Sequence, residues 1–227
     1  MKRIFTTLKE KWPEYLLEII AITLGIWGAY MIEDWKEERD HRELEATYKE
    51  SIHKEFADNM TQLQKVTEVN REALQYSEMI LRQYTSSQPN IDSISRFISP
   101  SFITYSFDPS QSSIQSLLST SNLRVIQDEE LRRLIVSWSE RVKDYKEEET
   151  QAINYFFRDM LPYMTKNFNF IALNNGNPPA DVEMEFINMV MNRITLLRYM
   201  ISSEDKELEN LQETIKRIVE LTAPAAP

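Results

Sequence analysis

Apolar residues open the chain as one nearly unbroken run and then recur at helical spacing almost to its end. Residues 16–32 read LLEIIAITLGIWGAYMI, seventeen positions with one charge, the short end of what crosses a bilayer as a helix. Residues 32–88 contain neither proline nor glycine, and Leu44, Tyr48, Ile52, Phe56, Met60, Leu63, Val66, Leu74, Ile80 and Leu81 recur at helical intervals. The pattern predicts a helix that leaves the apolar run and continues to about Tyr84. Residues 85–121 lose the period and hold thirteen serines with Pro89, Pro100 and Pro109, which predicts a loop-rich insertion with short helices near 92–98 and 112–119. Asp128, followed by Glu129 and Glu130, is a good N-cap for a second long helix, whose stripe is Leu131, Leu134, Ile135, Trp138, Val142, Tyr145, Ile153 and Phe156. Pro162 should kink or end it. The run Asn174-Asn175-Gly176-Asn177-Pro178-Pro179 breaks the chain. A third helix is expected from about Asp181 to Leu221, on Phe186, Val190, Ile194, Leu197, Ile201, Leu208, Leu211, Ile215 and Ile218.

These elements predict an all-α protein: one N-terminal transmembrane helix continuing into an antiparallel bundle of three long helices. Each would be about 60 Å long for about 40 residues. Short connections favour antiparallel neighbours, so the expected order is out, back, out. The parts are a cytoplasmic N-terminus (1–12), the transmembrane helix (13–35), a periplasmic bundle (36–222) and a disordered tail (223–227). The insertion, residues 85–127, is expected at the tip far from the membrane, with the Asn/Pro turn facing the membrane.

Composition narrows the chemistry. The 227 residues include no cysteine and three glycines, and two of these, Gly25 and Gly28, lie in the apolar run. Disulfides and thiolate chemistry are excluded. So are the glycine-rich phosphate loops and the nucleophile elbow, which need glycine where the backbone turns sharply or meets a phosphate. With 26 Lys+Arg against 36 Asp+Glu, the net charge is −10, the wrong sign for nucleic acid.

Charge also orients the span. Residues 1–12 carry Lys2, Arg3, Lys9 and Lys11 against Glu10, whereas residues 33–43 carry six acids against Lys36, Arg39 and Arg42. The positive side stays in the cytoplasm, so the bulk of the chain is expected in the periplasm of a bacterium with two membranes. Trp12 and Tyr15 before the run, and Tyr30 and Trp35 at its far end, match an aromatic belt. Trp12 and Trp35 stand about 35 Å apart along a helix. No A-x-A-like site follows the run, which favours an uncleaved anchor over a signal peptide.

Candidate site residues are few. Glu18 is an acid inside an apolar span, and its face carries Ala21, Gly25 and Ala29, a small-residue row that permits close helix pairing. Glu18 either snorkels to the headgroups or packs against a partner helix as a protonatable group. The two histidines sit in Glu38-x-x-His41 and Glu50-x-x-His53, each a match to the E-x-x-H element of carboxylate-bridged di-iron bundles, which draw their ligands from four helices. They lie about 18 Å apart on one helix, so solvated positions are expected and no metal. Glu147 with Glu149, and Glu207 with Glu209, read as solvated faces. The methionines, Met184, Met189, Met191 and Met200 among them, read as core filling or as an adaptable groove. Phe97, Ile98, Phe102, Ile103, Tyr105 and Phe107 should cap the bundle end or form a docking patch.

Glu18-Ile19, Gly25-Ile26, Ala29, Ile32, Trp35 and Glu37 resemble the signature of a bacterial family of short single-pass membrane proteins of unknown function. A second stretch, Ser121 to Ile126 with Asp128, Leu131 and Arg132, resembles that family's later motif. Leu17 and Ser121 stand where the family usually has glycine. The likeness covers residues 15–140 and implies a topology, with no activity. The expectation is a non-enzymatic scaffold or accessory subunit, without a cofactor. Its partners would be the lipid bilayer and either further copies of itself or another membrane protein. The alternatives are an ion-coupled subunit using Glu18, separable by Glu18→Gln, and a ligand-sensing bundle.

Overall fold

The computed structural model describes residues 2–120, 122–175, 182–202 and 206–224; the side chains of 2–11, 13–15 and 174 are not among those described. Residues 176–179 of the expected break, the helix start at Asp181, the motif residue Ser121 and the end of the tail therefore lie outside the described residues. The fold is all-α, with no strand among the described residues. Helix α1 covers Lys2–Tyr84, α2 Ile91–Ser101, α3 Ser112–Ser119, α4 Glu129–Tyr155, α5 Leu161–Asn167, α6 Phe170–Asn174, α7 Met184–Ser202 and α8 Glu207–Thr222. A 3₁₀ turn at Asn122–Val125 precedes α4, and a π turn at Phe156–Met160 joins α4 to α5. The chain divides into two compact units, Met1–Tyr48 and Lys49–Pro227.

In the first unit, α1 is apolar round its circumference over residues 16–32 but for Glu18. The window there is long and apolar enough to cross a membrane, and none of it is buried. Residues 33–43 are charged all round, and an isolated helix of that kind relies on pairs one turn apart. Arg39–Glu43, His41–Glu37 and Arg42–Glu38 are 3.7, 3.7 and 3.8 Å apart.

In the second unit the direction of each rod follows from its contacts. At one end His53 of α1 meets Val219 and Thr222 of α8, and Glu130 of α4 pairs twice with Arg217 of α8 at 2.7 Å. At the other end Ile80 shares a core with Phe156, Met160, Phe186 and Ile194, and Arg198 of α7 reaches Glu78 at 2.6 Å. Between them Phe56 packs edge-on against Trp138, with ring centroids 4.7 Å apart. Helix α4 therefore runs parallel to α1, and α7 and α8 return antiparallel to both. The expected out, back, out order is wrong, and the physical reason is the insertion. It serves as a crossover, and a long crossover makes its flanking helices parallel. Nor is it gathered at one tip. Residues 103–111 are non-helical and pass along α1 from Asn70 to Asn59 as a strap, with Ser112 and Ser113 reaching Glu55. Leu173 at the end of α6 and Val182 before α7 both join the core around Ile80, at the Tyr84 end.

Two local outcomes differ from the pattern. Pro162 sits in the first turn of α5, directly after the π turn. The wider turn absorbs the missing N–H and the ring, so the helix passes through. The expected third helix is two helices, with Lys206 in the left-handed region at φ 56° before α8. Ser202, Ser203 and Asp205 precede that point, side chains that compete for backbone hydrogen bonds and weaken a helix interior.

Asp128 caps α4 as expected, accepting from the Leu131 N–H at 2.9 Å. Asp128→Ala should cost about 1 kcal/mol, read as a lower midpoint in urea unfolding followed by circular dichroism.

Candidate functional site

The polar interior of the second unit is concentrated on the strap. An extended segment has no ladder of its own, so its N–H and C=O groups need partners wherever water is excluded. Side chains on three helices supply them. Asn70 of α1 donates its amide to the Tyr105 carbonyl at 2.8 Å and accepts from the Tyr105 N–H at 3.1 Å. Asn59, three turns earlier, does the same for Ser110, at 2.8 and 2.9 Å. The registers match, since eleven helical residues rise about 16.5 Å and five extended residues cover about the same length. Glu149 of α4 accepts from the Phe107 N–H and the Ser106 hydroxyl, both at 2.7 Å.

The strap's ends are held by charges that complement the helices on either side. Arg193 of α7, 2 % exposed, donates from Nε to the Ser101 carbonyl at 2.8 Å and from Nη2 to the Ile103 carbonyl at 3.1 Å. A cation thus sits at the C-terminal end of α2, where unpaired carbonyls leave partial negative charge. Its guanidinium also lies over the Phe156 ring, 5.0 Å from the centroid. Burial pulls its pKa down to about 10, partly offset by Tyr155, so it stays charged near neutral pH. At the other end Gln111 offers α3 no side-chain cap. Glu55 replaces it, its Oε2 accepting from the Ser112 hydroxyl at 2.7 Å and the Ser113 N–H at 3.0 Å. Burial pushes the Glu149 carboxyl up from its ordinary value, against the lowering effect of its bonds to Phe107 and Ser106.

The sequence-predicted residues divide. Glu18, Ala21, Gly25 and Ala29 lie on one face of α1 in the first unit, all exposed. A Cβ at Gly25 would meet nothing within 4 Å, so that face is open. Of the aromatic group, Phe107 is fully buried and edge-on to Tyr145. Phe97 packs near Tyr76, and Phe102 stacks on Phe156 with its edge to Phe186. Ile98 is fully buried as well, and Ile103 and Tyr105 alone of the six are exposed. The group is therefore not one docking patch.

Two expectations of solvated positions are corrected. Glu149 is buried because the strap covers its face of α4. His53 is half-buried because it closes the end of α8, its Nδ1 3.1 Å from the Val219 carbonyl and 3.3 Å from Thr222 Oγ1. His41 stays exposed beside Glu37. Among the described residues no three His, Cys, Asp or Glu side chains cluster as metal ligands would.

Fold and site together define a class: an all-α bundle with an internally bound strap, carrying one helix apolar enough to span a membrane. No protein-family model, no curated protein and no solved structure matches the chain.

Proposed function

We propose that the chain is a membrane-anchored helical scaffold, or an accessory subunit of a membrane complex, without enzymatic activity. Its bundle stands in the periplasm of a bacterium with two membranes, and its short basic N-terminus stays in the cytoplasm. The observation that carries this reading is how the buried polar side chains are used. Glu55, Asn59, Asn70, Glu149 and Arg193 would be the natural candidates for a site, and each is bonded to the protein's own strap or its flanking helices, with Oε1 of Glu55 alone among them left without a partner. Such an interior rigidifies a surface. The exposed apolar helix at residues 16–32 supports the anchor, and the charge asymmetry of its flanks supports the orientation.

The test is native mass spectrometry of the full chain, gently extracted from its own membranes. Expected is a complex of fixed stoichiometry, either of several copies or with a second membrane protein. A chain recovered only as a monomer at every detergent concentration overturns the reading.

A further inference from the structure

A helix that packs one face on a core normally turns charge toward water on the other, and α4 and α8 do so. Twelve of the 27 residues of α4 and six of the 16 of α8 are Asp, Glu, Lys or Arg. Helix α7 does not. Its 19 residues carry three charges: Arg193 is buried under the strap, Arg198, 60 % exposed, is drawn to Glu78 along one edge, and Glu185 lies near one end. The face opposite its core side reads Met184, Asn188, Met191, Thr195, Tyr199 and Ser202, all exposed. At 100° per residue these six fall within about 100° of arc along about 27 Å of helix. Their spacing is mainly alternating fours and threes, the interval of a helix-pairing seam.

We infer that this stripe on α7 is an interface between two copies of the chain. Its composition selects the occupant. A surface without charge cannot discriminate a charged partner; it pairs with a second uncharged helix face, and each further copy brings one. With a net charge of −10, copies repel over most of their surfaces, and the stripe is where two can approach most closely. The size is sufficient. Met184, Met191 and Tyr199 are 59, 44 and 58 % exposed. At about 200 Å² for a large side chain, the whole stripe offers about 500 Å². Two copies then bury about 1,000 Å², the lower bound of a specific interface. Methionine suits such a seam because its unbranched thioether adapts to a neighbour's shape. An interface of this size is weak in dilute solution. The inference therefore rests on the anchored-scaffold reading, in which confinement to one membrane raises the effective concentration.

The chain's lack of cysteine makes the test clean. Full-length Thr195→Cys is treated with a short bismaleimide in native membranes, beside Lys143→Cys on the charged face of α4. Expected is a cross-linked species of twice the chain mass for Thr195→Cys, at least tenfold above Lys143→Cys. Adding Met191→Glu should abolish it with the circular dichroism spectrum unchanged. Cross-linking of Thr195→Cys to a different protein overturns the inference, as does a dimer yield no higher than that of Lys143→Cys. Persistence of the cross-link with Met191→Glu in a folded chain also overturns it. If the stripe fails while the extracted complex keeps its stoichiometry, the interface alone is wrong. A chain that is monomeric on extraction removes the scaffold reading itself.

Discussion

Arg193→Ala should destabilise the bundle by about 4 kcal/mol, the largest effect of any single substitution around the strap. Three losses combine. The carbonyls of Ser101 and Ile103 are left without their donors in a buried place, at about 1–3 kcal/mol each at most. A large side chain that is 2 % exposed leaves a cavity between α2, α7 and the π turn. The ring of Phe156 loses the cation above it. Arg193→Lys separates charge from shape. Lysine keeps the cation at the end of α2, but a single ammonium cannot serve two carbonyls in a fixed fork or lie flat on a ring. It should recover about half of the loss. Urea unfolding of the full-length protein in mild detergent, followed by circular dichroism, measures both. A cost below about 1 kcal/mol for the alanine variant would show that the strap does not depend on this bond pair.

Helix positions were legible in the sequence because long apolar periodicity reports which residues face inward. The end of α1 at Tyr84, the two short helices of the insertion and the cap at Asp128 were all accessible in this way. The direction of α4 was not. Periodicity says that a helix has an apolar face, but not which end of it meets which end of another. The antiparallel expectation presumed a short connection, and about 40 residues separate α1 from α4, enough to recross the bundle. Strap residues such as Phe107 and Pro109 are buried without any repeating pattern, since an irregular segment is held by side chains from elsewhere.

The polar partners of the strap left a fainter trace. Asn59 and Asn70 occupy the buried face of α1 between Phe56, Leu63, Val66 and Ala73, where an apolar residue would be expected. A polar side chain in a core register needs a partner, and serine-rich backbone downstream was the available one. Arg193, set between Val190 and Ile194, is the same kind of trace on α7. Glu149 left none. It follows Lys146, Glu147 and Glu148 in a charged run, and one position of rotation separates a solvated glutamate from one facing the strap. His53 was hidden similarly, because its partner Val219 lies 166 residues away.

Glu149 allows a test that distinguishes geometry from charge. Glu149→Ala removes the acceptor of the Phe107 N–H, and Phe107 is fully buried, so the orphaned donor and the space left behind should cost about 3 kcal/mol. Glu149→Gln keeps an oxygen for Phe107, and its amide can donate to the Ser106 hydroxyl, which turns to accept. The glutamine variant should stay within about 1 kcal/mol of the parent at neutral pH. The two proteins should also diverge with pH. Burial raises the folded-state pKa of Glu149 above its unfolded value, so the folded state holds this proton more tightly than the unfolded chain. The resulting stabilisation is complete below the unfolded pKa and is lost as pH rises through the folded one. Glutamine does not titrate. Relative to the parent, Glu149→Gln should therefore gain stability as pH rises from about 4 toward neutrality, and a plateau should follow once Glu149 is ionised in both states. Urea midpoints of the two proteins, measured in parallel from pH 4 to 8, read this difference directly. A difference that stays flat, or that falls with rising pH, would mean that the bonds from Phe107 and Ser106 outweigh the cost of burying the charge.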